Sequence, residues 1–197
     1  MFPANKLSII LLCLPIMATA DFLIAEDACP KQWTAWGDHC YRLDPCFNAT
    51  WRDSEAHCQS FLSVDDPDTH GITTGHLVSI HSKEEQEFVY QLFVDSTPNL
   101  PRVRWDPRIY VGFMLGETAN DLSWSDGTAA DYQNWYLGQP DGLPNALGQI
   151  SDGPGNPQDP GIRGRWCDQN IAEQHIKRLS MCKMRQSGLK LYFRKDT

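Results

Sequence analysis

At 197 residues and a formal net charge of −8, the chain has the length of one domain and is too acidic to be a nucleic-acid binder. The charge is uneven: 22 acidic and 7 basic residues lie between positions 21 and 162, against 3 acidic and 9 basic between 163 and 197. An acidic body with a basic end suits calcium-rich surroundings, and equally a plain soluble surface.

Residues 1–20 have the pattern of a secretory signal. Lys6 precedes a short apolar run, Leu7 to Met17, and Ala18-Thr19-Ala20 forms a small-residue cleavage site. The run is too short to span a bilayer, and no later stretch is longer. The expectation is a secreted, extracellular chain that starts at Asp21, with a linker over 21–28. Cys13 leaves with the signal, so Cys29, Cys40, Cys46, Cys58, Cys167 and Cys182 remain. An even count in a secreted chain reads as a disulfide framework.

Cys29-Pro30 to Cys40-Tyr41, with Trp33, Trp36 and Gly37 between, predicts two short strands closed by a disulfide. Asn48-Ala49-Thr50 is an N-glycosylation sequon, so Asn48 is expected to carry glycan. Thr50 is a good N-cap for a helix that contains Asp53 in its first turn and points Trp51 and Cys58 inward. The polar stretch 63–75 reads as a loop, with Asp65-Asp66-Pro67-Asp68 at its centre. His76 to Ile80 is a strand candidate. Ser82-Lys83-Glu84-Glu85 is a capping box that opens a second helix with Phe88, Val89, Leu92 and Phe93 on its apolar face. Ile109 to Phe113 is β-branched and aromatic, hence a strand. From Gly116 to Gly164 the chain is rich in Gly, Pro, Asn, Asp and Gln, and a structureless stretch that long either counts against a fold assignment or marks a functional loop. Arg165 to Asp168 and Arg178 to Cys182 read as short strands. Leu189 to Phe193 alternates weakly, as an extra strand or a frayed tail.

This order of elements, with Tyr110-Val111-Gly112-Phe113, Trp124-Ser125-Asp126-Gly127, Gln139-Pro140-Asp141 and Trp166-Cys167-Asp168, resembles the C-type lectin-like domain. The resemblance covers 29–183 and leaves 184–197 as a basic tail. It implies an α+β fold: two helices on a twisted antiparallel sheet, a long irregular loop region, and disulfide staples. It further implies the pairs Cys29–Cys40 and Cys58–Cys182. Cys58 to Phe61 and Gly75 to Ser82 look most like secreted echinoderm lectins. The Pro/Gly/Gln insert from Asp152 to Gly161 is similar, more weakly, to spicule-matrix proteins of calcium carbonate biomineral.

Three departures bear on function. The family's second bridge would fall near Gln149 and Ile171, and neither is cysteine. Cys46 and Cys167 are then left over, open to pairing with each other, to staying free, or to bridging a second chain into a disulfide-linked oligomer. In sugar-binding relatives the ion is Ca²⁺, held by a Gln-Pro-Asp loop, a downstream Glu and a Trp-Asn-Asp strand. Here Gln139, Asp141 and Asp168 match that set, the Glu position falls near Leu147, and the Asn position is Cys167. Ca²⁺ takes six to eight oxygens, so Asn145, Gln149 and Asp152 are candidate substitutes. Pro140 suits a cis bond that aims the loop. The Gln-Pro-Asp order resembles the galactose-type version, and Trp135 and Trp166 are candidates to stack on sugar, against the alternative that both are core residues.

Two functions follow from different classes. One is a secreted Ca²⁺-dependent carbohydrate-binding module. The other is an extracellular-matrix or mineral-associated structural protein. No His-Glu-x-x-His helix and no Gly-x-Ser-x-Gly turn is present, so no enzyme is expected.

Overall fold

The computed structural model describes residues 23–24, 28–66, 71–102, 106–118, 121–142, 144–153, 161–173, 175–188 and 191–194. Residues 1–20, expected to be a signal, and most of the Pro/Gly/Gln insert lie outside the described residues. Twelve strands occur among the described residues, in order β1 (Leu23–Ile24), β2 (Thr34–Trp36), β3 (His39–Leu43), β4 (Phe61–Asp66), β5 (Gly71–Thr74), β6 (His76–Leu77), β7 (Arg108–Leu115), β8 (Leu122–Trp124), β9 (Leu147–Ser151), β10 (Trp166–Gln169), β11 (Leu179–Arg185) and β12 (Leu191–Arg194). Helix α1 (Trp51–Gln59) precedes β4, and α2 (Lys83–Ser96) precedes β7.

Both helices start where their caps predict. Thr50 Oγ1 accepts from the Asp53 N–H at 3.2 Å, and Ser82 Oγ from the Glu85 N–H at 3.0 Å. Glu85 does not close the capping box on Ser82. Its carboxylate accepts the His81 N–H at 2.8 Å and otherwise turns into the core.

The main sheet runs β10-β9-β7-β11-β3-β2, with β8 on β7 and β6 on β11. It is mixed rather than purely antiparallel, because β7 and β11 run parallel, with Leu179 opposite Ile109. These two central strands are buried on both faces. Successive side chains of a strand point to opposite sides. Accordingly Ile109, Val111 and Phe113 join Met181, Val89 and Phe93 of α2 in one cluster, while Tyr110 joins Cys182, Met184, Trp51 and Cys58 of α1 in the other. Trp51 Nε1 donates to the Val111 carbonyl at 2.8 Å and fixes α1 to β7. Gly112 sits where the chain passes β6; a Cβ there would lie 2.6 Å from the Leu77 carbonyl oxygen.

The polar stretch expected to be a loop is mostly a hairpin. β4 and β5 pair antiparallel, with Ser63 opposite Thr73 and their hydroxyls bonded at 2.6 Å; residues 67–70 lie outside the described residues. The stretch expected as an extra strand or a tail forms β12, which pairs with β4 on one side and β1 on the other. Tyr192 is buried there, its hydroxyl donating to the Ala28 carbonyl and accepting the Ser187 N–H at 3.0 Å. Segments read as linker and tail thus contribute strands to a second, four-stranded sheet, β1-β12-β4-β5.

Two disulfides join described residues. Cys29–Cys40 closes the β2–β3 hairpin, and Cys58–Cys182 ties α1 to β11 across 124 residues. Cys46 and Cys167 do not pair. Cys46 is itself disulfide-bonded, and Cys167 is a free thiol buried on β10. Burial pushes the Cys167 thiol up to about 11, away from the reactive thiolate.

Candidate functional site

The Gln139-Pro140-Asp141 loop meets β10 at one edge of the main sheet. An isolated bridge pairs Trp135 with Trp166, and the Tyr136 N–H donates to the Trp166 carbonyl at 3.0 Å. This sets the loop in register with β10. The Gln139–Pro140 peptide is cis. Gln139 Oε1 accepts the Asp168 N–H at 3.0 Å, and the Asp141 N–H reaches Asp168 Oδ1 at 3.4 Å. The three residues singled out from the sequence therefore stand together, although Asp168 lies 27 or more positions beyond the other two.

Asp168 is the informative member. It is largely buried, and its Oδ2 has no hydrogen-bond partner among the described residues. Burial raises its pKa, and the neighbouring Asp141 charge raises it further. A buried carboxylate oxygen with nothing to accept from costs free energy. A cation beside Asp141 and Asp168 would remove both the unmet acceptor and the repulsion. Gln139 Oε1 keeps a second lone pair after accepting one N–H. The donor set therefore fits a hard cation such as Ca²⁺, with one amide and two carboxylates from the protein. No cluster of three or more His, Cys, Asp or Glu side chains joins them among the described residues.

The proposed substitutes divide. Leu147, at the missing Glu position, is buried in the core. Asp152 is held elsewhere by the Arg102 guanidinium at 2.6 Å and the Tyr90 hydroxyl at 2.6 Å. Gln149 donates to Gln169 and accepts from Arg108 at 3.1 Å, while Gln169 donates to the Glu173 carbonyl at 2.9 Å. That amide chain links β9 to the turn at Ile171–Glu173, across the two positions where the resemblance expects a disulfide. Asn145 is exposed on the turn entering β9.

The two tryptophans differ in burial. Trp166 is fully buried, with Nε1 donating to Gln86 at 2.6 Å, so the core reading holds for it. Trp135 is half-buried and packs edge-on against Phe113 and Trp166, at 5.1 and 5.7 Å between ring centres.

Sequence reading missed a buried polar network. Glu85 accepts from the Lys183 ammonium at 2.7 Å and the Tyr41 hydroxyl at 2.6 Å. Beside it, His81 lies between Asp131 at 2.9 Å and Ser79 Oγ at 3.2 Å. That order of groups can activate a serine. Here Ser79 is fully buried, donates to Asp126 and receives the Lys183 ammonium, so its oxygen is not presented to a substrate. Only long-range pairing brings Glu85 and Lys183 together, and no local motif signals it.

Comparison with known proteins bears on family. No family model matches the chain. Echinoidin of Heliocidaris crassispina is 39% identical over 113 residues, which are 57% of this chain and 72% of echinoidin. The chain belongs to the C-type lectin-like family. Among solved structures, CEL-IV superposes with a TM-score of 0.69 at 32% identity, covering 80% of this chain and 94% of CEL-IV. The C-type lectin CEL-I of Cucumaria echinata gives 0.57 at 26%, covering 80% and 97%.

Proposed function

We propose that this C-type lectin-like protein is a secreted carbohydrate-binding module whose sugar site depends on Ca²⁺ held by Gln139, Asp141 and Asp168. The observation that supports it is the buried Asp168 carboxylate, one oxygen of which has no partner among the described residues, beside a second carboxylate. When bound, Ca²⁺ would supply a centre for sugar hydroxyl oxygens. The chain's own residues hold the loop against β10 and bring the two carboxylates side by side. Two carboxylates are a small complement for Ca²⁺, so binding at millimolar concentration, the range of weak extracellular sites, is proposed. The Gln-Pro-Asp order favours a galactose-type ligand.

The second reading is a matrix or mineral-associated protein using the same fold without sugar. It is favoured by Leu147 and Cys167 at positions where relatives ligate. Thermal melting separates the two. Wild type is expected to melt higher in about 10 mM Ca²⁺ than in chelator, since a ligand stabilises according to its concentration over Kd. Asp141→Ala and Asp168→Ala should each abolish the rise. No rise in wild type would favour the matrix reading; a rise kept by both variants would place the metal elsewhere.

A further inference from the structure

A second recess lies apart from the Gln-Pro-Asp loop, between α2 and the turn that leads into β10. It is a cleft of about 370 Å³, within the size range of small-ligand sites. Three cations line it, Lys83, Arg163 and Arg165, against one lining carboxylate, Glu87. On a chain of net charge −8 this is a local reversal of sign, and Arg163 is the first residue of the basic end.

The floor is rigid. Gln86 Nε2 and Asn134 Nδ2 both donate to the Gly164 carbonyl at 2.9 Å, and Trp166 fixes the other end of the Gln86 amide. Gly164 has φ +71°, and a Cβ there would lie 3.1 Å from the Tyr90 ring, so backbone and ring meet closely only because the residue is glycine. Arg165 donates to Asn134 Oδ1 and is steered along the wall. Arg163 is exposed and makes no hydrogen bond or ion pair among the described residues. Lys83 is tied only by a loose, solvent-exposed pair with Glu87 at 3.7 Å. Tyr90 and Tyr132 also line the cleft, both half-buried. A neighbouring recess shares Tyr90 and Arg163 but is also lined by Asp95 and Asp152, so the cationic surface is that of the first cleft.

We propose that this cleft binds an acidic saccharide, its sulfate or carboxylate groups on Arg163, Arg165 and Lys83 and its sugar rings against Tyr90 and Tyr132. Guanidinium forks match planar or tetrahedral oxyanions, while tyrosine offers an apolar face with a polar tip. The cleft shares no residue with the Gln139–Asp141–Asp168 set, so its binding needs no Ca²⁺.

The test is calorimetric titration at low ionic strength, in chelator, with three size-matched probes: a chondroitin 4-sulfate tetrasaccharide, a hyaluronan tetrasaccharide and neutral maltotetraose. Both acidic probes should bind and maltotetraose should not. Tighter binding of the sulfated probe assigns the cations to sulfate, and equal binding assigns them to the uronate carboxylate. Arg163→Glu should weaken acidic-probe binding by about tenfold or more, and Lys83→Gln by about threefold, the scale of lost charge-assisted contacts. Because both side chains are exposed, each variant should melt as wild type does. Asp168→Ala should bind the acidic probes unchanged. Equal binding of the neutral probe, indifference to Arg163→Glu and Lys83→Gln, or loss of binding in Asp168→Ala would overturn the proposal.

Discussion

Replacing Lys183 with Met leaves a buried carboxylate without its cation. The side chains of Lys183 and Glu85 are only 7% and 4% exposed, and their charged atoms are 2.7 Å apart. The ammonium also donates to the Ser79 carbonyl at 3.1 Å. Met fills nearly the same volume, so the packing loss is small and the electrostatic loss dominates. Removing one partner of a buried pair typically costs about 3–5 kcal/mol. Glu85 would keep the Tyr41 hydroxyl and the His81 N–H, which places the expectation toward the lower end. Tyr41 remains a donor throughout, since burial and then the Glu85 carboxylate hold its pKa far above the usual range. For a chain of this size about 2–4 °C of Tm accompanies each kcal/mol. A fall of roughly 6–15 °C is therefore expected in calorimetry of the oxidised protein. Glu85→Gln should also destabilise, and the double variant should lose much less than the two single losses added, a coupling of at least about 1 kcal/mol. A Lys183→Met loss below about 1 kcal/mol, well under the range for a broken buried pair, or strictly additive losses, would refute the buried pair as a support of the fold.

Cys58→Ala opens a loop of 124 residues, worth roughly 5 kcal/mol by chain entropy, against roughly 3 for Cys29→Ala; the Cys58 variant should secrete far less than the Cys29 variant, and equal secretion would contradict the ranking. His57 is held near 4 by burial and then by the Arg194 charge, with Asp44 opposing and Arg42 adding to it, while its ring stacks on Phe47. A histidine kept neutral in the fold contributes fully above its unfolded value near 6.5 and loses that contribution as pH falls toward 4. The stability advantage of wild type over His57→Gln should therefore shrink through that window, by about 1–2 kcal/mol given its partial exposure; a pH-independent difference would count against it. Asn48 is exposed beside the α1 cap, so Asn48→Gln should lose a glycan's mass on a denaturing gel without lowering Tm, whereas unchanged mobility would mean an unused sequon.

Features set by local chemistry were legible in the sequence. Thr50 and Ser82 announce their helices through side-chain oxygens that satisfy nearby N–H groups, and the β-branched and aromatic run of Ile109, Tyr110 and Val111 announces a strand. Features set by distant partners were not. Ser63 and Thr73 read as loop residues because polar side chains suit a turn, yet they bond to each other across a hairpin. Tyr192 looked peripheral until β12 carried its ring over the Cys29–Cys40 hairpin. At the candidate site, residue types named Gln139, Asp141 and Asp168, but only the fold shows Asp168 Oδ2 buried without a partner among the described residues. The fold also removes Asp152 and Gln149 from the ligand set: Asp152 is held by Tyr90 and Arg102, and Gln149 by Arg108 and Gln169. The cationic cleft was hinted at only by the basic end, since α2 and residues 163–165 meet solely in three dimensions.

The most direct measurement is retention on a galactose column. Wild type is expected to be held in about 10 mM Ca²⁺, above the range of the weakest extracellular sites, to elute with chelator, and to bind again when Ca²⁺ is restored, while Asp168→Ala passes through at every Ca²⁺ concentration. Passage of the folded wild type in Ca²⁺, or retention that chelator does not reverse, would contradict a Ca²⁺-dependent galactose site at Gln139, Asp141 and Asp168.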